Sequence, residues 1–221
     1  MCNHYQILKE KQIVLFEWSG SLLKTRLPLP LPDFPTHIYP KYPAPVIIQQ
    51  GGERNLVAKH WGIPMKIKGA TKMLDRHVTN ARNDKLGGYP WRFSVEERRC
   101  LIPATGYFEP GLGPVGLKGE IIFTVKEQPF FYFAGLWDGD AFTMVTTDPN
   151  DYVQKYHDRM PVILAPSLAT EWLGDEPLSD ERLRVLCQGL PTEALQHEEL
   201  PARLKITENQ NELGLSDGLG L

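Results

Sequence analysis

The 221-residue sequence predicts an α+β domain in which a strongly curved, barrel-like sheet of mixed or antiparallel strands is flanked by a few helices. Three observations lead there. Short runs of β-branched and aromatic residues, bounded by turn residues, recur from Val46 to Thr147. Helical spacing of leucines appears only after Pro166. A content of 42% hydrophobic and 10% aromatic residues is enough to bury one full core. One domain is expected over residues 1–207, with 208–221, rich in Asn, Gly and acids, as a flexible tail.

Taken in order, the stretch from Leu27 to Pro45 carries seven prolines and reads as an extended surface loop rather than a helix or a central strand. Its leucines alternate with prolines; packing of Leu27, Leu29 and Leu31 on the domain is the expected role, with an exposed partner motif as the alternative. Strands are expected at Val46–Gln49, Asn55–Trp61, Leu101–Phe108, Ile121–Lys126, Phe130–Trp137 and Ala141–Thr147. Gly111, Gly113, Pro114, Gly116 and Gly119 form a hairpin loop between two of them, and Asp138-Gly139 supplies a tight turn. A helix is expected over Pro166–Leu173, since proline suits a first turn. A second begins at the N-cap Ser179, carries Leu183, Leu186 and Leu190 at helical spacing, and ends near Gly189.

Net charge is −3, which argues mildly against a nucleic-acid partner, yet the charge is unevenly distributed. From Lys59 to Arg99 the chain is net +6, and from Pro166 onward net −7, so an anionic ligand is drawn to the middle of the sequence. A solvated basic surface explains the same pattern. Cys2, Cys100 and Cys187 are odd in number and lack C-x-x-C spacing, which suggests neither disulfides nor a metal site and fits a reducing, cytoplasmic setting. The polar start and the absence of long apolar runs read as neither a secretory signal nor a membrane span.

Cys2 carries the most chemistry. Removal of Met1 would leave an amine and a thiol on adjacent carbons, the pair that captures an aldehyde as an imine and then closes a thiazolidine ring. Both groups have reference pKa values near 8. Alone, a cysteine after methionine is more simply a tolerated small residue. Three strings accompany it: Thr79-Asn80-Ala81-Arg82, Gly106-Tyr107-Phe108-Glu109 and Tyr156-His157-Asp158-Arg159-Met160-Pro161. Glu109 ends an apolar run, where an acid either faces solvent or is a half-buried proton shuttle. His157 is either a structural histidine or an acid–base group. Asn80 and Arg82 are a turn asparagine and a surface arginine, or donors to a sugar oxygen and a phosphate.

With Arg99-Cys100-Leu101-Ile102-Pro103-Ala104, Ala44-Pro45 and Trp61-Gly62, the ordered set from Cys2 to Leu164 resembles the SOS response-associated peptidase (SRAP) family of abasic-site crosslinking proteins. The resemblance implies an SRAP-like fold and binding of single-stranded DNA containing abasic sites. It also implies a covalent thiazolidine crosslink through Cys2, with strand cleavage as a side branch. By matching motif, Cys2 is the expected nucleophile, Glu109 the proton shuttle, His157 a second acid or base and Asn80 a sugar-positioning donor. Arg82, His4, Lys66, Lys85 and Arg92 are the expected DNA contacts. No cofactor, metal or obligate protein partner is expected.

The chain departs from the family pattern in three places. The family continues Cys-Gly-Arg, whereas this chain reads Cys2-Asn3-His4. After Trp61-Gly62 the family carries proline then tryptophan; here Ile63 to Lys68 has no aromatic residue, leaving Met65 as an apolar wedge and Lys66 and Lys68 as phosphate contacts. The family's polar signature near the C-terminus is not evident in Gln196 to Asn209. Two rival functions stay open. One is a cysteine-type peptidase or autopeptidase using Cys2, Glu109 and His157; the other is a non-catalytic single-stranded nucleic-acid-binding module.

Overall fold

The computed structural model describes residues 2–9, 23, 25–28, 33–68, 71–112 and 118–200. The expected tail at 208–221, the middle of the proline-rich stretch at 29–32 and the tip of the glycine loop at 113–117 lie outside the described residues. In chain order the strands are β1 (Tyr5–Gln6), β2 (Thr25–Arg26), β3 (His37–Ile38), β4 (Pro43–Gln50), β5 (Glu53–Trp61), β6 (Ile63–Lys68), β7 (Met73–Val78) and β8 (Asn80–Arg82). After helix α1 (Arg92–Glu97) come β9 (Arg99–Ala104), β10 (Gly106–Leu112), β11 (Lys118–Val125), β12 (Phe131–Asp138), β13 (Ala141–Thr147), β14 (Met160–Pro161) and β15 (Ile163–Leu164). Helices α2 (Pro166–Leu173) and α3 (Asp180–Leu186) and strand β16 (Leu195–Leu200) follow.

The fold is α+β, with strands dominating and the principal sheet curled into a barrel. Its strands run β14-β13-β12-β9-β4-β5-β2, and a parallel pairing of β13 with β5, Ala141 to His60 and Phe142 to Trp61, closes β13, β12, β9, β4 and β5 into a ring. A second sheet, β16-β11-β10-β1-β3, lies beside it. Strand alternation divides the apolar residues. Cys100, Ile102 and Ala104 of β9 and Phe131 and Phe133 of β12 share one cluster with Tyr5, Tyr107 and Phe123 of the second sheet. Leu101, Tyr132, Ala134 and Leu136 point the other way, against Trp172 and Leu173 of α2 and Leu183 and Leu186 of α3. Gly135 faces the first cluster, where an added Cβ would sit 2.7 Å from Ile102 Cδ1, so only glycine lets β12 approach β9 here.

Two expectations about strands need correcting. The run Leu101–Phe108 is two strands in two sheets, β9 and β10, separated at Thr105. Thr105 fixes the change of sheet by donating from its backbone N–H (2.8 Å) and Oγ1 (3.2 Å) to the Gln6 carbonyl and accepting from the Leu8 N–H (3.1 Å). Adjacent Gly106 is required because a Cβ would meet Ile122 Cδ1 at 2.9 Å. Pro43 and Pro45 were expected outside any central strand, yet both lie in β4, between β9 and β5. The missing donors are tolerated because β4 pairs with β9 only at Ile47 and Ile48, beyond the prolines. Elsewhere the reading holds: α2 spans Pro166–Leu173, and Ser179 caps α3 by accepting the Arg182 N–H at 3.1 Å, although that helix stops at Leu186, before Gly189. The Asp138-Gly139 turn joins β12 to β13. No strand was expected at β6, β7 or β16; the first two form a separate antiparallel ribbon.

Candidate active site

The segment bearing Cys2 is drawn alongside β10 by the antiparallel register Tyr5 to Tyr107 and by the Phe108 N–H donating to the His4 carbonyl at 2.9 Å. Cys2 is 1% exposed. Its thiol donates to the His4 carbonyl (3.4 Å), and its own carbonyl accepts Asn80 Nδ2 at 3.1 Å. Burial, reinforced by the negative charge of Glu109, holds the thiol far above its ordinary pKa, so the sulfur is protonated at neutral pH.

Asn80 opens β8, which is fixed by parallel pairing with β13, Met144 to Asn80. Its Nδ2 also donates to Thr79 Oγ1 (2.9 Å), and Thr79 is held in turn by the Trp61 indole N–H on its carbonyl (2.9 Å). Thr79 Oγ1 reaches Asn3 Oδ1 at 3.3 Å. Trp61 therefore acts beneath the site, linking the end of β5 to the start of β8. Asn80 Oδ1 is buried and has no hydrogen-bond partner.

Glu109 follows Tyr107 by two residues on β10, so the strand's pleat turns it to the same face, toward the apolar cluster. It is 2% exposed, and Oε1 is buried without a partner. Burial pushes the carboxyl up to about 7. The solvent-facing alternative for this acid is thereby excluded.

His157 follows a single 3-10 turn, Val153–Lys155, in the connection from β13 to β14. Its Nδ1 lies 3.0 Å from the Arg159 backbone nitrogen and 2.9 Å from Asp158 Oδ1. Partial burial pushes the imidazole below its ordinary range. The charge of Glu109 acts on Cys2, and Asp158 acts on both Glu109 and His157, so these groups share one neighbourhood. Four buried polar atoms in that neighbourhood have no hydrogen-bond partner among the described residues: Glu109 Oε1, Asn80 Oδ1 and the phenol oxygens of Tyr5 and Tyr107, so the site holds unmet hydrogen-bonding capacity.

The expected DNA contacts are dispersed. Arg82, at the end of β8, is exposed and forked onto Asp84 (2.9 and 3.2 Å), with Lys85 Nζ 3.9 Å from the same carboxylate. Arg92 is exposed on α1 and paired with Glu96 at 3.1 Å. Lys66 is exposed on β6 of the ribbon, opposite Asp75. His4 is displaced from the expected surface: it is 6% exposed, stacked between Phe108 (3.8 Å) and Tyr39 (4.3 Å), with Nε2 2.9 Å from His37 Nδ1 and Nδ1 3.3 Å from Glu120. Because Phe108 and Glu109 alternate on β10, this stack lies across the sheet from the carboxyl.

Side chains that sequence reasoning passed over complete the surroundings. His197 on β16 accepts or donates at both ring nitrogens, to Tyr152 Oη and, at 3.4 Å, to Tyr156 Oη. Its partners stand 45 and 41 residues earlier in the chain, beyond the reach of local pattern.

Known proteins resemble this chain along most of its length. Residues 1–205 match the family described as SOS response associated peptidase (SRAP). The abasic site processing protein YoaM of Bacillus subtilis (strain 168) is 31% identical over 151 residues, which span 63% of this chain and 66% of that protein. The abasic site processing protein YoqW, from the same bacterium and from Bacillus phage SPbeta, is 31% identical over 153 residues, 64% of this chain and 67% of its own. Among solved structures, a Bacteroides thetaiotaomicron protein superimposes with a TM-score of 0.72 at 23% identity, covering 90% of this chain and 92% of its own. A phage-related protein of Bordetella bronchiseptica gives 0.65 at 26% identity, covering 90% and 94%. With the barrel, the ordered motifs and a family match over residues 1–205, the chain belongs to the SOS response associated peptidase (SRAP) family.

Proposed function

We propose that this protein processes abasic sites in DNA, capturing the open-chain aldehyde of an abasic deoxyribose, in single-stranded DNA, as a thiazolidine on Cys2 once Met1 has been removed. The observation that carries the reading is the pair of buried, unpartnered oxygens, Glu109 Oε1 and Asn80 Oδ1, beside the Cys2 segment. A hydroxyl-rich sugar supplies the donors they lack. The names of the Bacillus relatives, abasic site processing proteins, support the same substrate.

The chemistry follows from the residues present. The Cys2 amine adds to the aldehyde carbon, giving a carbinolamine. Loss of one water from it gives an imine, and a carboxyl with a pKa of about 7 is half protonated at neutrality, so Glu109 can donate the proton that leaves with that water. The Cys2 sulfur then adds to the imine carbon while its proton passes to the nitrogen, closing the ring with no further loss of atoms. Burial keeps the sulfur protonated, so the amine acts first and the thiol second. His157, an imidazole whose pKa partial burial lowers, serves the competing elimination of the 3′ phosphate or the reversal. A peptidase thiolate requires a lowered thiol pKa, and burial at Cys2 acts in the opposite direction.

The test is intact-mass analysis of Met1-free protein mixed with a single-stranded oligonucleotide carrying one abasic site. The expected product is a denaturant-resistant adduct one water lighter than the sum of its parts, absent with Cys2→Ser. No adduct with wild type at modest salt would overturn the reading in favour of a binding module.

A further inference from the structure

We propose that His197 is a positioning residue that clamps the His157 segment to the sheet bearing Glu109; its kinetic consequence rests on the function proposed above. Glu109 stands on β10, whereas His157 stands on the connection from β13 to β14, at the margin of the barrel. Among the described residues, no backbone pairing ties that connection to the second sheet. His197 supplies the tie. Its strand β16 pairs with β11, and β11 with β10, so His197, Phe123 and Tyr107 form one row across three strands. Glu109 lies two residues along from Tyr107, opposite Ile121. Above that row, the His197 ring bridges the phenols of Tyr152 and Tyr156, which bracket the 3-10 turn leading into His157.

The clamp is packed as well as bonded. Phe123 meets Tyr152 and Tyr156 edge-on, at 6.0 and 5.7 Å between ring centroids, and Val153 between them is fully buried. Asn150 closes the other end: its Oδ1 accepts the N–H groups of Tyr152 (3.1 Å) and Val153 (2.9 Å), and its Nδ2 donates to the Leu190 carbonyl at 2.7 Å. A single imidazole reaching both tyrosines fixes the phase of the turn, and the turn fixes where the His157 ring points. His197→Phe retains a ring against Phe123 but removes both bonds to the phenols.

The proposal is tested on two independent readouts with His197→Phe and, as a milder variant, the double substitution Tyr152→Phe, Tyr156→Phe. The first readout follows the imidazole C–H resonances of His157 by NMR as pH is varied. Release of the segment should move its midpoint upward toward an ordinary histidine, because burial is what depresses it. An unchanged His157 titration in folded variants of both kinds overturns the clamp, whether or not DNA is ever captured. The second readout uses Met1-free protein and the abasic oligonucleotide. His197→Phe should change adduct reversal and strand cleavage about as much as His157→Ala does, leave affinity for a non-reactive tetrahydrofuran analogue within about twofold, and add nothing when combined with His157→Ala in one chain. Fully additive effects would mark a merely structural residue and refute the proposal. Absence of adduct in wild type would instead refute the function and leave the NMR result to judge the clamp.

Discussion

Replacing Glu109 by glutamine should stabilise this protein in alkali and leave its stability unchanged in acid. The carboxyl is 2% exposed, and its pKa is raised from 4.5 to about 7 by burial. A raised pKa in an acid means that the folded chain holds a proton between those values that the unfolded chain has released, so stability falls as pH rises through this window. At about 1.4 kcal/mol per unit of pKa, the native state above pH 7 carries a cost of about 3 kcal/mol that is absent below pH 4.5. Glutamine keeps the shape and carries no charge, so it removes the cost and its pH dependence together. For a chain of this size each kcal/mol shifts the melting midpoint by about 2–4 °C, so Glu109→Gln should melt about 6–12 °C higher at pH 8. At pH 4.5 the two proteins should melt together. Thermal unfolding by calorimetry at pH 4.5, 6 and 8 and constant ionic strength measures this. A lower melting midpoint for the variant at pH 8, or the same increment at every pH, would refute the assignment of a buried, hard-to-ionise carboxyl. A gain in stability together with slowed capture is the pattern expected of a residue kept for chemistry rather than for folding.

Three further outcomes follow from the same structure. The Arg99 guanidinium is 5% exposed and donates to the carbonyls of Val95, Glu96, Trp172, Gly174 and Glu176, gathering the ends of α1 and α2; Arg99→Lys cannot satisfy that set and should cost about 3 kcal/mol in urea unfolding. Ser179→Ala removes the acceptor for the Arg182 N–H and should cost about 1 kcal/mol, read in the same way. If the ribbon contacts phosphate, Lys66→Ala should weaken DNA binding evenly across sequences and lower the slope of log affinity against log salt by about 1, measured by fluorescence anisotropy.

The boundary between what was legible in the sequence and what was not runs along the distance over which residues interact. Runs of β-branched and aromatic residues between turn residues are local, and they located β4, β5, β11, β12 and β13; the proline at 166 and the serine at 179 located α2 and α3 for equally local reasons. Family membership was also legible, because the motifs stand in order along the chain. Local pattern could not see that Leu101–Phe108 passes between two sheets, since Thr105 marks the change only through its bonds to Gln6 and Leu8. Nor could it see β16, whose Glu198 and Glu199 mask a strand that exists through its pairing with β11.

The sequence by itself determined which chemical groups are present: a cysteine next to the initiator, a carboxyl at the end of an apolar run, a histidine within the string Tyr156 to Pro161. Tertiary structure alone decided their environments. It buried Glu109 and thereby raised its pKa, and it turned His4 away from the surface into a stack of rings. It also closed the barrel through a parallel pairing between β5 and β13, strands some eighty residues apart in the chain. The physical reason is that ionisation and hydrogen-bond demand depend on the solvent removed from around a group. That removal is the work of residues far away in sequence, contributed here by both sheets at once.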